Sequence, residues 1–228
     1  MQARVLIGYS RCQATRQAFE KWGHSTYTCD LLPNGNDHHL QMDVWKALRT
    51  MGWDFAVLHP MCTYLTVSAA WAYNEPDYDK YPEHGYHQQV RPETLVGAAR
   101  VRARDEALEN FQALLDLPFP VAVENPARSF INKAIRPPDQ IIHPWQFGDD
   151  ASKATGLWLT RGTPALALDP DAAVEPRMVK GLPRWANQTD SGQNRLTPSA
   201  ERWLERSATY PGIAHAMGDQ WGQWLRRK

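Results

Sequence analysis

Cysteine is scarce in this sequence: there are three in 228 residues. Cys12, Cys29 and Cys62 are too scattered for a disulfide framework, and no CxxC or paired Cys/His spacing suggests a metal site, so none is expected. An excess of charge of either sign is also missing. Lys plus Arg and Asp plus Glu both total 25, so no global field draws in a polyanion and any nucleic-acid contact must use local patches. No long charge-free apolar stretch is present, which argues against a transmembrane helix and a membrane partner. The opening "MQARVLIGYS" lacks the longer apolar region and cleavage site of a signal peptide, so a cytoplasmic location is expected. Internal repeats and low-complexity tracts are absent.

What is there is a chain long enough to bury a sizeable core, most simply as one large domain with a small appended lobe. The first 125 residues alternate short apolar runs with helical patterns. "ARVLIGY" is strand-like, and "RQAFEKWG" has helical spacing and ends in Gly, a helix C-terminal signal. "STYTCDLL" is β-rich, "DVWKALRTMG" is helical and again Gly-terminated, and "DFAVLHP" is a buried strand. A longer helix spans about 93–117, and "FPVAVENP" is a further strand. This β-α-β-α order predicts an α/β fold, a mostly parallel sheet with helices on both faces, in which ligands bind at the carboxyl ends of the strands. The stretch from Ala72 to Glu93 is rich in Tyr, Pro, His and charge, and reads as a lid-like insertion over about 70–92. The last third is irregular, with a strand at "TGLWLT", a helix from about Pro198 to Arg206 and an amphipathic close. Ten tryptophans are read mainly as packing residues.

Three strand ends collect the chemistry. Tyr9 and Ser10 follow the first strand, Cys62 follows "DFAVLHP", and Glu124 with Asn125 closes "VAVENP". A thiol and a carboxylate at adjacent strand ends can act on one ring, the thiol adding to an electron-poor carbon while the acid donates to a ring nitrogen. A cysteine after an apolar strand is often a buried structural thiol. A carboxylate at the end of a core strand is seldom without a hydrogen-bonding or catalytic task, and that favours the functional reading. Two basic stretches are candidate nucleic-acid patches or ordinary solvated surface: Arg128, Lys133 and Arg136, then Arg177, Lys180, Arg184 and Arg195, opposed only by Asp190. Within the lid, Lys80, His84, His87 and Arg91 are placed to close over a substrate or to form a plain surface loop. Those histidines lack metal-site spacing.

These residues resemble the cytosine-C5 methyltransferase family, in a small form of phage and prophage type, in motif order along nearly the whole chain. "VLIGYSRCQATRQAFEKWGHSTYTCD" resembles the family's first strand, cofactor loop, helix and second strand, closing on Asp30 at the place that binds the cofactor ribose. "LQMDV" places Asp43 at the adenine contact. "HPMCT" is similar to the nucleophile motif and "VENP" to the motif whose Glu protonates the base. "RLTPSAERW" resembles the late Arg-x-Thr-Pro motif, and "IAHAMGDQWG" the closing segment that returns to the cofactor pocket. The resemblance implies a doubly wound, Rossmann-like methyltransferase sheet with a small irregular C-terminal lobe. It implies S-adenosylmethionine as cofactor, bound by Tyr9, Ser10, Arg11, Asp30, Leu31, Asp43, Val44, Pro60 and Asp219. The implied catalytic set is Cys62, Glu124, Asn125, Lys153 and Arg195, acting on C5 of a cytosine in DNA that leaves the base stack.

The sequence departs from the family at definite places. Arg11, Gln13 and Ala14 occupy positions where the family has glycines, whose lack of a Cβ lets backbone approach a cofactor closely. Met61 replaces a proline before Cys62, Asp219 stands for an Asn, and Lys153 or Arg161 stands for the paired arginines of a strand motif. The implied organisation is a catalytic domain over 1–160, a reduced recognition segment over 161–194 and a C-terminal segment over 195–228 that packs back on the first. So short a recognition segment offers few rigid elements for base readout. Low sequence specificity is therefore expected, with a free pyrimidine nucleotide as the alternative substrate and a catalytically inactive binding protein as the alternative of a different class. The chain is expected to act as a monomer.

Overall fold

The structure is a computed structural model that describes residues 1–195 and 209–228. The expected helix from about Pro198 to Arg206, and the late motif beyond Arg195, lie outside the described residues.

Seven strands form one sheet: β1 (Arg4–Gly8), β2 (Ser25–Asp30), β3 (His39–Gln41), β4 (Phe55–Leu58), β5 (Val121–Pro126), β6 (Gln140–Ile142) and β7 (Thr155–Leu159), in the order β3-β2-β1-β4-β5-β7-β6. β1 pairs in parallel with β2 and β4, β2 with β3, and β4 with β5. β7 alone is reversed, running antiparallel to β5 and β6. The central strands read as continuous apolar runs because both faces are covered, as parallel sheets require. On one face, α1 (Gln13–Lys21) and α5 (Pro211–Arg227) pack over Val5, Ile7, Phe55, Val57 and Ala122 through Phe19, Met217 and Trp221. On the other, α2 (Val44–Thr50) and α3 (Gly97–Leu115) cover Leu6, Ala56, Leu58, Val121 and Val123 through Val44, Phe111 and Leu114. The doubly wound α/β architecture expected from the sequence is the one the chain adopts.

Local chemistry sets the helix ends. α1 stops where Gly23 takes φ 80°, the left-handed conformation that glycine adopts without strain. α2 begins on Asp43, whose side chain accepts from Lys46 N, and ends on an extended Met51. The glycine expected to terminate α2 therefore does not: Gly52 lies beyond the end and outside the left-handed region. The long helix is shorter than expected at both ends: Val96 is extended, so the helix starts at Gly97, and it closes at Leu115.

After β5 a single turn, α4 (Ile131–Ala134), leads to β6. Beyond β7 the chain forms a two-stranded ribbon, β8 (Arg177–Val179) and β9 (Leu182–Arg184), joined by a two-residue turn with Lys180 at φ 50° and Gly181 at φ 77°. Trp185 stacks on Trp145 with ring centroids 5.4 Å apart and planes at 18°, which fixes the ribbon to the body. The expected lid opens on a 3₁₀ segment, Val67–Tyr73, and continues as turns. It is packed at its base, where buried Tyr86 donates to Asn74 O at 3.0 Å and sits edge-on to Trp71, while Lys80 and His84 are exposed. Among the described residues no helix is long and apolar enough to cross a membrane, and no group of His, Cys, Asp or Glu is placed to hold a metal ion.

Candidate active site

The register of the sheet builds the site. Leu58 pairs with Val123, so the next residue on each strand, His59 and Glu124, stand side by side. Both side chains point to the α5 face, since side chains alternate along a strand. His59 Nδ1 lies 3.0 Å from Glu124 Oε2. One residue on, Asn125 points to the opposite face, is 1% exposed, and donates from Nδ2 to the Pro60 carbonyl at 2.9 Å. Two side-chain bonds thus fasten the chain leading to Cys62 onto the strand that carries Glu124. Cys62 is half-buried, and its carbonyl accepts from Leu65 N and Thr66 N, closing a turn around it.

A buried cation anchors that turn from beneath. Arg100 of α3, 4% exposed, donates to Thr63 O at 3.1 Å and to Leu95 O at 3.3 Å, and lies over the rings of Tyr64 and Tyr73. The loop is therefore held on its α3 side by charge-assisted hydrogen bonds and on its β5 side by Asn125.

Electrostatics around Glu124 oppose one another. Burial pushes its carboxyl upward, but the His59 hydrogen bond and the charges of Lys153 and His59 outweigh burial, and its pKa lies below the ordinary carboxylate value. Glu124 is therefore ionised at neutral pH. A cleft on the same face is lined by Glu124, Lys153, Thr155, Thr209, Tyr210, Ile213 and Met217, its far wall formed by the first turns of α5. Cys62 is not among the lining residues. It is linked to the cleft through the His59–Glu124 and Pro60–Asn125 bonds. Lys153 reaches this edge because β7 runs antiparallel and so begins where β5 ends: Pro126 pairs with Thr155.

The residues expected at a cofactor collect at the carboxyl ends of β1, β2, β3 and β4, with one exception. Tyr9, the first residue after β1, itself takes φ 56°, so the tight turn is made without a glycine. Its hydroxyl faces Asn110 of α3, and burial raises its pKa against that hydrogen bond. Ser10 N donates to Cys29 O, and Ser10 Oγ accepts from Cys12 N. Gln13 and Ala14, at two of the family's glycine positions, form the first turn of α1. Arg11 reaches across to Pro33 O at 3.3 Å. Asp30 caps its own turn through Leu32 N at 2.8 Å, Leu31 is 69% exposed, Asp43 caps α2, and buried Pro60 follows β4. Val44 lies at the same edge but is buried, packed beside Gly8 at the end of β1. Asp219 is the exception. It accepts from Trp22 Nε1 at 3.3 Å beside the carboxyl end of α1, which feeds the start of β2, and so lies toward the opposite edge of the sheet. Arg195 donates to Gln188 O on the ribbon lobe, which Asn187 ties to Ser152, next to Lys153.

His59 is the participant that residue-type reasoning passed over. A histidine directly before the proline of the Cys62 loop, one step past a strand whose neighbour ends in Glu, carried the signal.

Comparison with known proteins adds little to this geometry. No protein-family model matches the chain, and no curated protein matches it in sequence. A solved structure that it resembles is S. pombe Dnmt2 methyltransferase, at 17% identity and a TM-score of 0.40, over 69% of this chain and 48% of that one. The chain thus spans about half the length of that relative. The strand order with its single reversed β7 defines a doubly wound, Rossmann-like α/β fold.

Proposed function

We propose that this chain is an S-adenosylmethionine-dependent methyltransferase acting on C5 of cytosine in DNA with little sequence specificity, through a covalent adduct of Cys62. The observation that carries the reading is the double fastening of the Cys62 loop to the Glu124 strand, by His59 to Glu124 and by Asn125 to Pro60.

The residues present fit the cofactor. Asp30 and Asp43 each use Oδ1 for a backbone N–H, leaving Oδ2 to accept from hydroxyl or amino groups at the ends of β2 and β3. With Tyr9, Ser10, Arg11, Leu31 and Pro60 around the same edges, they would hold S-adenosylmethionine, which supplies an electrophilic methyl group when bound. Val44 and Asp219 would act only through packing.

Cys62, as thiolate, adds to C6 of the pyrimidine. Glu124 takes a proton from water as the substrate docks and passes it to N3, where negative charge develops, and C5 becomes nucleophilic. After C5 has been alkylated, water takes the C5 proton as the sulfur–C6 bond breaks and the thiolate leaves, and N3 returns its proton to Glu124, which restores the ring. Lys153 faces Glu124 and stabilises the carboxylate that remains. Arg195, on the lobe joined to Ser152, and the exposed Lys180 at the ribbon tip are placed to meet phosphate. The organisation that follows is a catalytic body over 1–160, a recognition segment over 161–194 and a returning C-terminal segment over 195–228, acting as a monomer. The small size of the ribbon favours one further reading, a free pyrimidine nucleotide as substrate.

Labelled methyl transfer to DNA, RNA and dCMP, offered side by side, tests both. Incorporation into DNA that disappears in Cys62→Ala while S-adenosylmethionine still binds is the expected result. A fully active Cys62→Ala would remove the proposed nucleophile. Label in dCMP alone would move the substrate to the free nucleotide.

A further inference from the structure

The His59–Glu124 pair has a feature that the proposed chemistry leaves unused. The His59 side chain is 10% exposed, one ring nitrogen is on the carboxylate, and the other, Nε2, is buried with no hydrogen-bond partner among the described residues. An ionised carboxylate only accepts, so Nδ1 carries the proton and donates to Oε2. Nε2 is then a buried ring nitrogen without a partner among the described residues. Native folds seldom leave such a group unmatched unless a task retains it.

The placement shows the task. His59 N donates to Gly8 O at 3.1 Å, so the residue extends the β1–β4 pairing by one step and its ring cannot drift from the sheet. Its ring meets only one of the two carboxyl oxygens. With Oε2 held by His59, the Glu124 side chain is fixed in rotation, and a substrate nitrogen is offered the remaining oxygen. We propose that His59 is a positioning residue for Glu124: its Nδ1–H fixes the carboxyl group and stabilises the carboxylate left after the proton has passed to the ring. This rests on the methyl-transfer reading above. Besides His59, the titratable groups facing Glu124 are Lys153, ahead of β7, and Tyr210, at the cap of α5. Lys153 adds its charge to the site, and the imidazole adds a directed hydrogen bond to Oε2.

In the catalytic step itself, the proton on Oε1 of neutral Glu124 moves to N3 as the Cys62 sulfur–C6 bond forms. The carboxylate so formed keeps its Oε2 bond from His59 Nδ1–H, and His59 gains and loses no proton.

The test uses the full chain with ¹³C-carboxyl glutamate, taking the difference from Glu124→Gln to isolate the Glu124 titration by NMR or infrared spectroscopy. In His59→Leu that titration moves upward, by about tenfold in proton affinity for one lost charge-assisted bond. In His59→Asn, whose amide keeps a donor, it stays near the parent value. Methyl transfer falls in kcat rather than KM in His59→Leu, is largely restored in His59→Asn, and its alkaline limb moves to higher pH in the leucine variant, since protonated Glu124 survives further upward. An unmoved titration in His59→Leu, or an asparagine variant that behaves like the leucine one, overturns the assignment. Should His59→Leu fail to fold, ¹⁵N shifts of the parent ring decide: a proton on Nδ1 supports the pair, and a ring protonated on Nε2 alone overturns it. A parent protein that shows the expected titration but transfers no methyl group refutes the methyl-transfer reading and leaves the pair standing.

Discussion

Replacing Gly218 by alanine sets two effects of known size against each other. In the middle of α5 the substitution gains helix propensity, about 1 kcal/mol. Gly218 faces α1, however, and an added Cβ there collides with the Ala18 methyl and comes within 3.0 Å of the Ala18 carbonyl carbon and of Phe19 N. Two of those atoms are helix backbone and cannot rotate away, so α1 and α5 must separate. Overpacking of this kind costs about 1–3 kcal/mol, and rigid neighbours put it at or beyond the upper end. The net expectation is a loss of about 2 kcal/mol, or roughly 4–8 °C in Tm for a chain of this size. The same shift carries Ile213 and Met217 outward from the cleft wall, so methyl transfer falls with stability. Urea and thermal unfolding of Gly218→Ala are measured beside Gly52→Ala, where nothing lies within 4 Å and φ is unremarkable. The control stays within about 0.5 kcal/mol of the parent. An unchanged or raised Tm in Gly218→Ala would refute the close approach of the two helices.

Further expectations follow from the site and its supports. Glu124→Gln lowers turnover by about 10²–10⁴-fold, because an amide cannot deliver the proton, and a rate equal to the parent's removes Glu124 from the mechanism. Because Glu124's folded pKa is depressed, its contribution to stability is present above the unfolded carboxylate value and lost as pH falls through the folded one. The fall of stability with acid is therefore shallower in Glu124→Gln, which acid titration of the unfolding midpoint reads directly. Cys29 is fully buried, and burial, only partly offset by its hydrogen bond to Met42 O, pushes its thiol up to about 11. Alkylation at pH 8 followed by peptide mapping should leave Cys29 unmodified until the protein unfolds. Trp185→Ala removes the stack on Trp145 and frees the ribbon, seen as faster hydrogen exchange over 177–195 with the sheet unaffected.

Much of the fold was legible because β1, β4 and β5 are apolar runs and β2 a β-rich one, separated by helical patterns that favour parallel crossovers. β3 and β6 were not, being three residues each with no periodicity to read. The reversal of β7 was equally hidden: "TGLWLT" announces a strand without a direction, which the β6–β7 pairing supplies. Within the site, the residue types of Cys62, Glu124 and Asn125 drew attention to two strand ends that the register places side by side. The motif string around Asp219 fixed a helix but could not say which end of it faces the ligand edge. The absence of glycine at 11, 13 and 14 does not prevent a tight turn after β1, since Tyr9 takes a left-handed conformation there.

The backward run of β7 has a consequence for how such a site can be altered. In a wholly parallel sheet every connection reaching the ligand edge is an exit from a strand, and shifting one tends to disturb the core behind it. Here one connection is an arrival, the stretch between His143 and Ala154, and its path helps set how far Lys153 stands from Glu124. Residues inserted or removed there change the spacing of cation and anion while β4 and β5 keep their register, so this loop is a place where substrate preference can be retuned without remaking the fold.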